Sequence, residues 1–417
     1  MAIDSGDVAW VITATALVML MTPALGFFYG GLVRRKNLVA TIVQCLVIFS
    51  VISLVWALWG YTMAFGPAWN GIIGGLSNIG LLNVGAAPNP AYSSTIPALL
   101  YFAFQLKFAA ITPALIIGAF AGRVRLKALL IFIILWTTFV YVPIAMWIWN
   151  PGGWLHILGV MDFAGGLVVH TSAGVSAVAA ALVIGQGRTF GRESRPNNVP
   201  YVILGTALLW FGWFGFNAGS ALAANAVAVN ALVDTNLAAA ASGVSWMLVD
   251  WTRKGRPSAV GMAVGAVCGL AAVTPASGFV GPGPSIIIGI VAGVLCNYVA
   301  NWRARTRLDD SLDVFACHGA GGMWGTLATG LFASVAINSA GRNGLFYGNA
   351  HQFLVQLVGI AVVAAFAFVG TYVLLRVINV FTPLRVGPTE EDSGLDISEF
   401  GEEAYDTSEG PPPPSTA

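Results

Sequence analysis

Two histidines, His170 and His318, stand inside long apolar runs where an ionisable side chain is costly to place. One run reads Asp162-Phe-Ala-Gly-Gly-Leu-Val-Val-His170-Thr-Ser-Ala-Gly174, the other Asp313-Val-Phe-Ala-Cys-His318-Gly-Ala-Gly-Gly322. A neutral imidazole carries one donor and one acceptor, so a buried pair can hold a small polar molecule or relay a proton. A single such histidine is ordinarily just a polar residue bonded between helices; two at matching places in two similar runs argue for a shared task. A metal centre would add Asp, Glu or Cys ligands at short spacing, and within a helical turn there is only Cys317, turned about 100° from His318. The metalloenzyme reading is set aside, and no cofactor, metal or nucleic-acid partner is expected.

The acids opening the two runs have a structural role available. Asp accepts hydrogen bonds from the free N–H groups of a helix start and suits the positive end of its dipole. That accounts for Asp313. Asp162 has the same explanation and, beneath an outer mouth, could also stabilise an arriving cation.

The elements that position these residues follow from where the positive charge falls. The chain is 57% hydrophobic and 9% charged, far from the roughly 25% charged residues of an average soluble domain. Most of its 19 Lys and Arg lie in five clusters: Arg34-Arg35-Lys36, Arg123/Arg125/Lys127, Arg188/Arg192/Arg195, Arg253-Lys254/Arg256 and Arg303/Arg305/Arg307. The connections around 66–92, 150–161, 221–231 and 274–284 have neither Lys nor Arg. Cytoplasmic loops retain basic residues, so the alternation predicts both the number of crossings and their direction. Eleven helices are expected, near 9–32, 39–64, 95–121, 128–149, 162–185, 199–220, 232–251, 258–273, 284–302, 314–335 and 351–381, with the N-terminus outside and the C-terminus inside. A secretory signal is not expected, because Asp4 and Asp7 precede the first apolar run where a signal carries positive charge.

Helices one to five then start outside and six to ten start inside, so two five-helix units are inverted relative to each other, with a final helix added. Each unit ends in one of the histidine runs. At 1.5 Å per residue His170 lies roughly 12 Å from Asp162 and His318 roughly 8 Å from Asp313, approaching the midplane from opposite leaflets. Cys45, Cys268, Cys296 and Cys317 fall inside predicted helices and suit packing rather than disulfides. Gly261, Gly265 and Gly269, and Gly289 and Gly293, repeat every fourth residue, as tight helix crossings in lipid require.

At these residues the chain resembles the Amt/Mep/Rh family of ammonium transporters, on the Amt side. The resemblance runs from Gly26-Phe-Phe-Tyr-Gly-Gly-Leu-Val-Arg-Arg-Lys-Asn37 to the tail, through Phe104-Gln-Leu-Lys-Phe-Ala-Ala-Ile-Thr-Pro113, the two histidine runs and Gly212-Trp-Phe-Gly-Phe-Asn-Ala-Gly-Ser220. It implies an all-α membrane fold of eleven transmembrane helices, a homotrimer in the cell membrane, and one path per subunit. It implies Phe108, Trp149 and Ser220 at an outer ammonium site supported by Asp162, Phe108 and Phe216 as a stacked gate, and His170 and His318 lining the pore below. Aromatic faces attract a partly dehydrated cation. A bare cation in a narrow apolar pore is penalised, and ammonium, unlike potassium, can shed a proton and cross as ammonia. His156 and His351 are expected to be ordinary interfacial residues.

Lys107, next to Phe108, is the departure; it turns about 100° away and is expected at a wet or paired site off the path. Residues 1–385 are expected to form the transporter and 386–417 an acidic cytosolic tail, with nine acids from Glu390 to Glu409. Leu395, Ile397, Phe400 and Tyr405 interrupt those acids within the block from Gly394 to Tyr405, which includes Asp396. The resemblance implies that this block docks on the basic inner loops and answers to a PII-type signal protein. The alternative function is an ammonium sensor of the same fold coupled to such a partner.

Overall fold

Apolar stretches of this length can sit in lipid only as helices, since every backbone N–H and C=O must be satisfied within the segment. The computed structural model describes residues 2–191 and 195–405 and bears this out. Nine helices among them are long and apolar enough to cross a membrane. They are α1 (Ser5–Leu32), α2 (Arg35–Phe65), α3 (Ala98–Phe120), α4 (126–149), α5 (Gly166–Ile184), α6 (Val199–Gly219), α7 (Ala226–Lys254), α9 (Pro282–Arg303) and α11 (Ala350–Phe381). The shorter α8 (Ala259–Val273) and the two-part α10 (315–332) complete the eleven. Helix α7 begins earlier than expected because Asn225 caps it, its side chain accepting from the Ala228 N–H. Helix α5 begins later, at Gly166, leaving Asp162 outside it.

Small residues bring the backbones together. A side chain on Gly269 of α8, or on Gly289 of α9, would strike the carbonyl of Ala238, so α7 is clasped between the two. Gly174 on α5 and Gly322 on α10 do the same at the centre: a side chain on Gly174 would strike the Gly319 backbone, and one on Gly322 would lie 2.8 Å from the His170 Cβ. The four cysteines are buried and free, and Cys268, Cys296 and Cys317 pack together against Trp246.

The tail does not hang free as far as it is described. Its Leu395 is buried and packs with Ala40, Val386 and Phe400. Carboxylates supply much of its register: Asp396 accepts from the N–H groups of Val39 and Ala40 at 3.1 and 2.8 Å, and Glu399 from that of Leu126 at 3.2 Å. Asp396 and Glu399 thus cap α2 and the start of the helix that becomes α4. Burial raises the Asp396 pKa, against the pull of those same N–H groups. Gly394 lies at φ +98° with the Lys36 carbonyl where a side chain would go. Tyr405 accepts from Asn198 Nδ2 at 2.8 Å, under the Arg35 guanidinium. Ion pairs join Glu390 to Arg125, Glu391 to Arg385 and Asp392 to Arg188. Among the described residues the tail's contacts therefore fall on three of the expected five basic loops; in the other two, Lys254 pairs with Asp250 and Arg303 with Asp313. Of the four apolar residues in the block from Gly394 to Tyr405, Ile397 and Tyr405 are exposed. Arg192, Asp406, Glu409 and the terminal prolines lie outside the described residues.

Candidate functional site

The Gly174 and Gly322 crossings press α5 against α10 one turn past each histidine. There His170 Nδ1 and His318 Nδ1 lie 3.2 Å apart, with the rings nearly parallel and their centroids 5.2 Å apart. Both histidines are buried. Two neutral rings can share an Nδ1–Nδ1 hydrogen bond only as opposite tautomers. One then presents Nε2–H as a donor and the other a bare Nε2 as an acceptor. Each ring sits in a π-helical turn, 166–171 and 315–320, a widened geometry common at functional sites.

Aromatic rings line the approach. Phe216 lies 5.9 Å from His170, and Phe108 stands 4.3 Å from Phe216, centroid to centroid. Trp149 meets Phe108 edge-on at 5.7 Å. Phe108, Trp149 and Ser220 share a vestibule of about 200 Å³. Ser220 Oγ donates to the Phe216 carbonyl at 2.8 Å, so its lone pairs are left to accept. Below the ring pair is a small apolar-walled cavity, about 10 Å³ and roughly one water-sized molecule, reached by both histidines.

Sequence reasoning missed several neighbours. Trp213 stacks on His170 at 5.3 Å and is anchored by Thr274 Oγ1 at 2.9 Å. It lies in the same Gly212–Ser220 block as Phe216 and Ser220, three residues ahead of Phe216. Gln105, also within a quoted block, lines the vestibule, as does His156, which was expected to be merely interfacial. The His156 Nδ1 is 3.1 Å from the Ile148 carbonyl oxygen.

Asp162 caps its helix as expected, and Asp313 does not. The Asp162 carboxylate does not line the vestibule, because it accepts from four backbone N–H groups, those of Gly165, Gly166, Leu167 and Val168, at 2.6–3.0 Å. What it lends the vestibule is a backbone carbonyl, to which Trp149 Nε1 donates at 2.9 Å. On α10 the capping acid is Asp310 rather than Asp313: Asp310 accepts from Val314 and Phe315 at 3.1 and 2.8 Å. Asp313 stands at φ +56° and pairs with Arg303 at 2.8 Å.

Lys107 lines neither cavity; its Nζ lies 5.0 Å above the Phe49 ring of α2. On the far side of the histidines is a cavity of about 610 Å³. It is edged by Arg123, which pairs with Asp309 at 2.7 Å and also bonds the carbonyls of Ala119 and Gly185.

Inverted helical units with a ring-lined route between their histidine helices define a membrane transporter for a small polar solute. The chain belongs to the Ammonium Transporter Family, matched over residues 9–405. An ammonium transporter of Bacillus subtilis (strain 168) is 48% identical over 97% of this chain and 99% of its own length. The crystal structure of Candida albicans Mep2 superposes with a TM-score of 0.88 at 38% identity, covering 93% of this chain and 88% of that one. A structure described as a sensor Amt protein superposes with a TM-score of 0.86 at 30% identity, covering 95% and 98%. The protein is a multi-pass ammonium transporter and not an enzyme.

Proposed function

We propose that ammonium is recruited in the vestibule by Phe108, Trp149 and Ser220, loses a proton, and passes the Phe108–Phe216 rings to the histidine pair as ammonia. The observation that carries this reading is the 3.2 Å contact between His170 and His318 directly below the ring gate. Ammonium has four donors and no acceptor, which suits the free lone pairs of Ser220 and the aromatic faces around them. Ammonia can both donate and accept, which suits the mixed edge that opposite tautomers present. Potassium can do neither without its water, so it stays outside.

The chain works in the cell membrane with its N-terminus outside, as a homotrimer with one path per subunit. Residues 1–385 form the transporter and 386–417 a regulatory tail. Gly394, Leu395, Asp396 and Tyr405 hold that tail on the inner face, where a PII-type protein reads it. The test is uptake and current in proteoliposomes, with ammonium and potassium at equal gradients. Ammonium alone should respond; equal responses to both ions would remove the reading. A current means that the proton follows the ammonia, and electroneutral uptake means that it does not. A second reading, an ammonium sensor that conducts little, is favoured by the docked tail and the likeness to a sensor Amt protein. Ammonium binding without uptake in the same vesicles would select it.

A further inference from the structure

Buried polar atoms without a partner are rare in folded proteins and call for an explanation. Among the described residues, two such atoms belong to side chains lining the vestibule or the central cavity: Gln105 Oε1 and His170 Nε2. The histidine atom belongs to the pair already described. The glutamine oxygen has no structural role to explain it.

Gln105 lies on α3 one turn ahead of Phe108, so the two share a helix face. Its Nε2 donates to Tyr101 Oη at 3.2 Å, and Tyr101 is itself held by a stack on Tyr92 at 4.8 Å. The reverse amide orientation would turn buried N–H donors toward the route of a cation. As it stands, the end left unpaired is an acceptor. That acceptor is buried although the residue borders the vestibule. A resting ion therefore meets Ser220 and the ring faces first, and reaches Oε1 only once it leaves the open vestibule.

We infer that Gln105 is a specificity-determining residue for the dehydration step: its Oε1 accepts a hydrogen bond from ammonium as the ion leaves its last waters and enters the ring gate. The inference rests on the reading of the outer site and gate given above. A contact made during passage and not at rest accelerates the step without tightening binding. The two kinds of residue are thereby separable.

The experiment measures ammonium uptake in proteoliposomes for Gln105→Leu, Gln105→Glu and Ser220→Ala, as maximal rate and half-saturating concentration. Gln105→Leu should lower the maximal rate about tenfold, the worth of a hydrogen bond to a charged group, and leave half-saturation nearly unchanged. Gln105→Glu, which keeps an acceptor, should recover most of that rate, whereas Ser220→Ala should act mainly on half-saturation. An unchanged rate in Gln105→Leu beside a shifted half-saturation in Ser220→Ala overturns this inference alone. No effect of either variant overturns the outer-site reading with it. Equal losses in the Leu and Glu variants would make Gln105 a packing residue and also overturn the inference. If Gln105→Leu does not assemble, Gln105→Met takes its place with the same outcomes.

Discussion

Asp162 and Asp310 stand the same number of residues ahead of His170 and His318, and each spends its carboxylate on the N–H groups that open its histidine helix. The inverted units are thus in register through Asp310. Asp313 is a charged neighbour with a different partner. The opening turns are π-helical in both cases, and capping them holds the rings where the helices cross.

Asp310 lies in the connection before α10, and its buried carboxyl is pushed up from 3.8 to about 6. Burial is the main cause and Asp313 adds to it; Arg303 and the two capped N–H groups act the other way. A carboxyl that binds its proton more tightly folded than unfolded contributes stability that is complete below pH 3.8 and is lost as pH rises through about 6. The melting temperature of the wild type relative to Asp310→Asn should therefore rise as pH falls from 7 to 4. A difference constant over that range would refute the assignment.

Replacing His170 or His318 by Leu should cut ammonium uptake about tenfold or more, since it leaves one buried Nδ1 without its partner, and Glu should do the same by placing a carboxylate where a neutral ring stands. The trimer should still assemble, which size-exclusion chromatography in detergent will report. Normal rate and selectivity in both His→Ala variants would reduce the pair to packing.

Lys107→Met should change uptake by less than about twofold and cost at most about 1–2 kcal/mol of stability, the worth of its contact with the Phe49 ring. A large gain or loss of transport would place Lys107 on the path and weaken the role given to Phe108.

Gly394→Ala should undock the tail, because the new methyl meets the Lys36 carbonyl and φ stays positive. Limited proteolysis should then cut the 386–405 segment faster while the bundle melts within a few degrees of the wild type. Deletion of 390–409 should alter transport or PII binding, and deletion of 411–417 neither. If the larger deletion changes neither readout, the segment has no regulatory part.

Length, apolarity and the placement of Lys and Arg determined eleven crossings and an inverted pair of units, because an apolar run of this length crosses lipid as a helix and basic residues stay on the cytoplasmic side. The two histidine runs and the Phe104–Pro113 and Gly212–Ser220 blocks singled out residues that the fold gathers at the vestibule, the ring pair and the cavity below. Three-dimensional packing decided the rest. Asp162 and Asp313 both looked like caps in the linear chain, but the turn before α10 brings Asp310 to the free N–H groups and leaves Asp313 to Arg303. Likewise, the acids of the tail looked like partners for basic loops. Asp396 and Glu399 instead cap helix starts, since a helix N-terminus binds a carboxylate through directed hydrogen bonds and an exposed ion pair does not hold register as well. Which polar atoms lack a partner depends on neighbours far apart in sequence. That is why Gln105, plain in the sequence beside Phe104, acquires a role only once Tyr101, Phe108 and Ser220 surround the same vestibule.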